Sequence, residues 1–354
     1  MNNIKEIVSL RIKSARTIAG LSLRELSQKI NGVVSHTAIT KYESGLIMPD
    51  SKVLLALSSA LNVKVDYFLR PYNINIDNIE FRKKSKLPVK TVKGIKEEVT
   101  DMIARYIELE QFLNLSSDFI NPLQNVVINS GNDIENAVNS LLIEWRIGFN
   151  ALPNVIELLE DKEIKVIELD VNEHFDGLSG WANSNIPVIV VNKNFPIERK
   201  RFTALHELAH LLLRFNNNID PKMIEKYCHR FAGAMLIPKD TFFTEIGKNR
   251  NNISISELIN VKETYGISIQ AIMARAKDLG VISEDKFIQY RIWVNKSENH
   301  KKEIGMGEFI GKEHSSRFKQ LLYRATAEEL ISMSKAANLA NQKLASFRDE
   351  FIAI

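Results

Sequence analysis

Residues 202–213, Phe-Thr-Ala-Leu-His-Glu-Leu-Ala-His-Leu-Leu-Leu, decide the fold of the chain around them. Their apolar side chains lie nearly all round a helix, which predicts a central, buried helix. His206 and His210 are four residues apart, so they project from one face about one turn, roughly 5.4 Å, from each other. Two imidazoles in this arrangement reach one zinc ion, and Glu207 occupies the general-base position of such H-E-x-x-H motifs. The alternative is a core helix whose two histidines are satisfied by neighbouring groups.

A catalytic zinc ion normally has three protein ligands, so the two histidines require one more donor. The following residues 224–238 have the pattern of a second helix, which ends near Pro238. Within this helix Glu225 and His229 are four residues apart and therefore share a face. From their spacing alone, either side chain can turn toward the metal.

The order H-E-L-A-H followed by E-x-x-x-x-x-F-A-x-x-x-L-x-P resembles the ImmA/IrrE family of zinc metallopeptidases. This resemblance implies that His206, His210 and Glu225 bind the metal and that Glu207 is the general base. It also implies zinc as the cofactor, although His and Glu ligands accept manganese as well. The chain departs from the family at residues 228–229, where Cys-His stands in place of the usual Ala-Asn, so the role of that histidine stays open.

The composition of the chain is that of a globular protein, with 45% apolar and 25% charged residues among 354. It contains no run of about 18 apolar residues and no signal-peptide pattern, so we expect no membrane segment and a cytoplasmic location. The single cysteine, Cys228, excludes both an intrachain disulfide and a cysteine-based zinc site.

Basic residues are concentrated at the start of the chain. Lys plus Arg exceed Asp plus Glu by only 47 to 43 overall, whereas residues 1–70 contain ten basic and five acidic residues. A helical pattern runs through this region: Ser22 and Glu25 form a capping-box pair before the second helix, and Ser35 caps a third helix. We therefore predict a small helical domain with an electrostatic footprint for phosphates.

Helix, tight turn and helix followed by Y-E-x-G-x-x-x-P resembles the XRE-type helix-turn-helix of phage repressors. In such a pair the second helix enters the major groove of DNA with its N-terminal residues. The DNA-contacting residues implied here are Ser35, His36, Thr37, Thr40 and Lys41. The partner implied is a two-fold symmetric double-stranded DNA operator, bound by a homodimer. The alternative is a small helical bundle that contacts proteins.

The rest of the chain predicts an α+β fold that is mostly helical. A basic linker with a connecting helix covers 71–130, and its basic run at 82–86 is either a solvated segment or an arm that contacts the DNA backbone. A zincin-like core at 131–245 places helices around a small three-stranded sheet, with strands near 164–170, 177–183 and 187–192. A mainly helical region, 246–354, follows.

Two features of the C-terminal region are left open by the sequence. The two helices predicted near residues 255–280 have the form of a second helix-turn-helix, but such a unit more often serves packing. Residues 283–312 are mixed in pattern and predict an irregular or β segment. Residues 318–347 are strongly helical and either close the core or dimerise.

Three functions from different classes fit these features. The first is a transcriptional regulator fused to a zinc endopeptidase; the family resemblance implies a protein substrate, an XRE-type repressor. The second is a repressor whose metal site is sensory or structural. The third is an antitoxin-like binder that neutralises a partner protein. An intact Glu207 favours the first, because sensing needs ligands but no base.

Overall fold

The structure is a computed structural model. It describes residues 4–71, 76–77, 88–115 and 119–352. The basic run at 82–86 lies outside these described residues. No helix within them is both long enough and apolar enough to span a membrane.

The chain forms two compact units. The first unit comprises Met1–Ser117, Ala182–Ser184 and Ser316–Ile354, and the second comprises Asp118–Trp181 and Asn185–Ser315. The C-terminal residues are thus grouped with the N-terminal ones. The segment bounds predicted from the sequence, 1–70, 71–130, 131–245 and 246–354, stay predictions.

The helices in chain order are α1 (Ile4–Ile18), α2 (Leu23–Lys29), α3 (His36–Glu43), α4 (Ser51–Leu61), α5 (Val65–Leu69), α6 (Val89–Phe112), α7 (Gly131–Glu144), α8 (Val155–Asp161), α9 (Ile197–Leu212), α10 (Pro221–Leu236), α11 (Lys239–Glu245), α12 (Ile255–Tyr265), α13 (Ile269–Asp278), α14 (Glu284–Asn295), α15 (Glu298–Lys301), α16 (Arg317–Ala327), α17 (Met333–Leu339) and α18 (Leu344–Glu350). The strands are β1 (Ile76–Asp77), β2 (Val127–Ile128), β3 (Lys165–Leu169), β4 (Gly177–Ala182), β5 (Ile186–Asn192) and β6 (Arg214–Phe215).

The first five helices enclose a core of their own. The predicted capping box is formed, because the Ser22 side chain accepts from the Glu25 backbone and the Glu25 side chain accepts from the Ser22 backbone. Arg16 of α1 donates two hydrogen bonds to the Glu43 carboxylate at the end of α3, at 2.6 and 2.9 Å. This hydrogen bonding raises the pKa of Arg16 and fixes α3 against α1.

The three C-terminal helices complete the first unit: α16 and α17 pack on α6, and α18 packs on α17. Tyr106 and Leu109 of α6 share a buried cluster with Leu322 of α16 and Leu339 of α17. Arg105 of α6 also donates a 2.8 Å hydrogen bond to the Leu339 carbonyl. α6 is also packed against α1, so the C-terminal helices belong to the same compact unit as the N-terminal ones.

The second unit is built on the sheet order β4-β5-β3. β3 and β5 are parallel, with Lys165 opposite Val188 and Leu169 opposite Asn192. β5 is buried along its whole length, and the helix that follows it, α9, is buried on most of its surface. The fold class predicted from the sequence, mostly helical with a small three-stranded sheet in this region, is confirmed.

Two expectations for the C-terminal half are resolved. Residues 284–295 form a helix, α14, so the prediction of an irregular or β segment over 283–312 was wrong for this part. α13, the second helix of the unit resembling a helix-turn-helix, buries Ile272, Met273 and Ala276. Its Arg275 also pairs with Glu135 of α7 at 3.0 Å, so the helix serves packing.

An ion pair buried within the second unit fixes the first half of α9. Arg201 and Glu313 have fully buried side chains whose charged groups meet at 2.8 Å. Glu313 also accepts hydrogen bonds from the backbone N–H groups of Val155 and Ile156, at the start of α8. Burial lowers the pKa of Arg201, and the adjacent Glu313 acts in the opposite direction.

We predict that Glu313→Ala lowers the free energy of unfolding of the second unit by about 3–5 kcal/mol, because it leaves a buried guanidinium without its counter-ion. All three tryptophans lie in this unit, so their fluorescence during urea unfolding reports its stability. The exposed Glu308, on the same segment, is the control, and its change to Ala should cost less than about 0.5 kcal/mol. Equal effects of the two substitutions would contradict the importance of the ion pair.

Candidate metal centre

Three donor groups from α9 and α10 converge at one place in the second unit. The Nε2 atoms of His206 and His210 are 3.1 Å apart. The carboxylate of Glu225 lies 3.6 Å from the first of these nitrogens and 3.9 Å from the second. The ligand atoms of all three residues lie within 4.8 Å of one another. The structure therefore brings together the three ligands implied by the family resemblance.

The geometry of this cluster fits a tetrahedral metal ion. Ligand atoms that bind zinc tetrahedrally at about 2.0–2.1 Å lie roughly 3.3 Å from one another. The two histidine nitrogens are 3.1 Å apart, and the nearest Glu225 oxygen is Oε2 for His206, at 3.6 Å, and Oε1 for His210, at 3.9 Å, all close to that value. Two imidazole nitrogens and one carboxylate are also the donor set of known zinc hydrolases. The residues present thus fit a metal ion of this kind.

The far ring nitrogens of both histidines face residues of α10. The Nδ1 atom of His210 lies 3.1 Å from the Sγ atom of Cys228, and the Nδ1 atom of His206 lies 3.1 Å from the Nδ1 atom of His229. His229 is thus placed behind a ligand, with its Nδ1 atom turned to the ring nitrogen that faces away from Glu225. Of the two side chains left open by spacing, Glu225 is the one grouped with the donor atoms.

The Glu207 carboxylate is held from the sheet. Its Oε2 atom accepts a 2.7 Å hydrogen bond from the hydroxyl of Ser179, a buried residue of β4. Glu207 is itself buried, with 7% of its surface exposed. This hydrogen bond restricts the rotamer of the Glu207 side chain.

A glycine allows β4 to approach α9 this closely. A Cβ atom at Gly177 would lie 2.7 Å from the Thr203 side chain, 2.9 Å from the Val190 carbonyl and 3.4 Å from the Glu207 side chain. The first two distances are too short for any side chain to be accommodated without movement of the strand. The absence of a side chain at this position therefore brings Ser179 within reach of Glu207.

In the first unit, α3 presents the side chains predicted to contact DNA. Ser35, His36, Thr37, Thr40 and Lys41 are all exposed, whereas Ile39 and Tyr42 are buried in the core. The Ser35 hydroxyl caps the helix by accepting from the Ala38 N–H group. The Thr40 hydroxyl donates to the His36 carbonyl within the same helix.

Two family models match the chain at these places. Residues 12–68 match the helix-turn-helix model, and residues 159–277 match the Peptidase_M78 model, described as the IrrE N-terminal-like domain. Each match covers less than half of the chain. The Peptidase_M78 match includes the three donor residues, Glu207 and Ser179, and the helix-turn-helix match includes the whole of α2 and α3.

One curated protein is similar to part of the chain. The HTH-type transcriptional regulator ImmR of Bacillus subtilis (strain 168) is 31% identical over 91 residues. This alignment covers 26% of the present chain and 66% of the relative, so it spans only part of each protein. No solved structure matches the chain.

Sequence reasoning missed two supports of the IrrE N-terminal-like domain. Ser179 is 28 residues from Glu207 and has no motif of its own, so only the pairing of β4 with α9 reveals their contact. The sequence predicted no contact for Cys228, which stood out only as a departure from the family pattern and as a cysteine without a disulfide partner. Its position three residues after Glu225, one helical turn away, was the available signal that it would lie beside a ligand.

Proposed function

We propose that the chain is a DNA-binding transcriptional regulator fused to a zinc-dependent endopeptidase that cleaves a regulatory protein. The helix-turn-helix and IrrE N-terminal-like domains support the two halves of this proposal. The observation that carries the peptidase half is the Ser179–Glu207 hydrogen bond beside the cluster of three donors. Glu207 directly follows His206 in the chain, and hydrolysis at a metal site requires such an oriented carboxylate as its base.

In this proposal His206, His210 and Glu225 hold the metal. A metal ion in such a site supplies a Lewis acid that polarises a peptide carbonyl and acidifies water. Glu207 accepts a proton from the attacking water and returns it to the leaving amine. Ser179 holds the Glu207 carboxylate in the orientation for both transfers. Manganese is accepted by the same donors, so metal analysis decides between the two ions.

A sensory or structural metal site is the second candidate. Such a site needs His206, His210 and Glu225 but has no use for an oriented carboxylate next to them. The burial of Glu207 and its hydrogen bond to Ser179 therefore favour the peptidase. Burying a carboxylate is costly, and its retention needs a role that repays that cost.

The DNA-binding half determines where the peptidase acts. The exposed side chains of α3 would read a two-fold symmetric operator, with the regulator bound as a homodimer in the cytoplasm. The proposed substrate is another protein, an XRE-type repressor, cleaved at an extended or locally unfolded segment. DNA binding and proteolysis on one chain would link cleavage to the occupancy of a promoter.

Glu207→Gln should retain about one zinc per chain, because Gln replaces no metal ligand, yet lower hydrolysis by about 10²–10⁴-fold through loss of the base. His206→Ala should lose the metal. We would measure zinc by elemental analysis of the full-length protein and hydrolysis on a pool of unstructured peptides by mass spectrometry.

Glu144→Gln is the matched control, because Glu144 is an exposed carboxylate at the end of α7. This variant should keep both zinc and hydrolysis. Wild-type hydrolysis in Glu207→Gln, or full zinc content in His206→Ala, would refute the assignment of roles. The Glu207→Gln protein should also capture an uncut substrate from a lysate of the host.

Lys41→Glu should weaken DNA binding and reduce the slope of log affinity against log salt by about one, because one phosphate contact is lost. Binding of the full-length protein to a 30-bp duplex measured by fluorescence anisotropy over a salt series tests this. Lys13→Glu, an exposed residue of α1, makes the same change in net charge and should have a much smaller effect. Equal losses of DNA affinity in the two variants would contradict the assignment of α3 to the DNA interface.

A further inference from the structure

An exposed imidazole stands behind one of the metal-binding histidines. The ring of His229 lies 4.4 Å from the ring of His206, at an interplanar angle of 62°, and their Nδ1 atoms are 3.1 Å apart. Phe202 contacts His229 edge-on, with ring centroids 5.9 Å apart. His206 is buried, with 9% of its surface exposed, whereas His229 is exposed. The arrangement places a polar atom of α10 against the far side of a ligand from α9.

The direction of this hydrogen bond follows from the metal. The Nε2 atom of His206 faces the donor cluster, so a metal held there requires that nitrogen to be unprotonated. The proton of the neutral ring is then on Nδ1, which becomes a donor. The Nδ1 atom of His229 must therefore accept, and its own proton must be on Nε2. Each ring thus fixes the tautomer of the other.

Resting on the proposed function, we propose that His229 is a positioning residue that holds His206 in its metal-binding tautomer and orientation by accepting a hydrogen bond from its Nδ1–H group. Groups that hydrogen-bond the second nitrogen of a metal-binding histidine orient the ring and tune its basicity. The Cys228 thiol lies in the equivalent place beside His210. α10 therefore supplies the third ligand, Glu225, and also the partners of both imidazoles.

Substitution of His229 separates acceptor chemistry from packing. The acceptor Oδ1 of Asn is bonded to Cγ, as Nδ1 of His is, so His229→Asn keeps an acceptor at the same distance from the backbone. Leu is nearly isosteric with Asn but has no polar atom. Both variants lose the imidazole ring, so the difference between them reports the acceptor. His229 is exposed, so neither variant should disturb the core. Lys226→Leu, at another exposed position of α10, controls for the apolar side chain.

The measurement is zinc affinity of the full-length protein by competition with a chelator of known affinity, without any assay of hydrolysis. His229→Leu should bind zinc about 10–100-fold more weakly, and His229→Asn should lie within about threefold of wild type. In the cobalt-substituted protein, the visible absorption bands should change in His229→Leu and be restored in His229→Asn. Tryptophan fluorescence should show equal unfolding of all the metal-free proteins.

Two results would overturn the inference alone. The first is equal zinc affinity in wild type and His229→Leu. The second is a zinc affinity in His229→Asn as weak as that in His229→Leu. The second result would indicate that His229 acts through packing of its ring and not by accepting a hydrogen bond. A wild-type protein that binds no zinc would overturn the proposed function and this inference with it. The two failures are therefore distinguishable in one titration.

Discussion

One geometric constraint governs the candidate site of the second unit: the donor atoms of α9 and α10 must lie within about 4 Å of one another to share a metal ion. α9 alone brings two of the donors together, because a spacing of four residues places His206 and His210 on one face of the helix. The remaining donor, Glu225, belongs to α10 and reaches the histidines only if the two helices are fixed against each other. Packing of these helices in the shared core supplies that fixation, since Leu205, Leu208 and Phe231 are fully buried there.

Buried ion pairs further restrict how the helices of the second unit pack against one another. Arg201 and Glu313 anchor the first half of α9, and Glu135 of α7 joins α10 to α13 by pairing with both Arg230 and Arg275. Such pairs contribute little net stability, but breaking one leaves an uncompensated charge in the interior. They therefore penalise any shift of the helices that hold the donors.

Short-range sequence patterns predicted several of the helices and the fold class. The periodicity of residues 202–213 predicted α9, the cap at Ser35 predicted α3, and the fold class followed from the order of helices and strands. α14 was missed because its apolar residues are spread around the helix and only Val294 is buried, so no stripe exists to be read. The partners Ser179 and Glu313 were missed because each meets its partner only through folding, 28 and 112 residues away.

The measurement that tests the account most directly is anomalous scattering at the zinc absorption edge from crystals of the full-length protein. We predict one peak per chain, at about 2.0–2.2 Å from the Nε2 atoms of His206 and His210 and from a carboxylate oxygen of Glu225. A peak that includes His229 or Cys228 among the ligands would contradict the account, as would zinc-soaked crystals without a peak between α9 and α10.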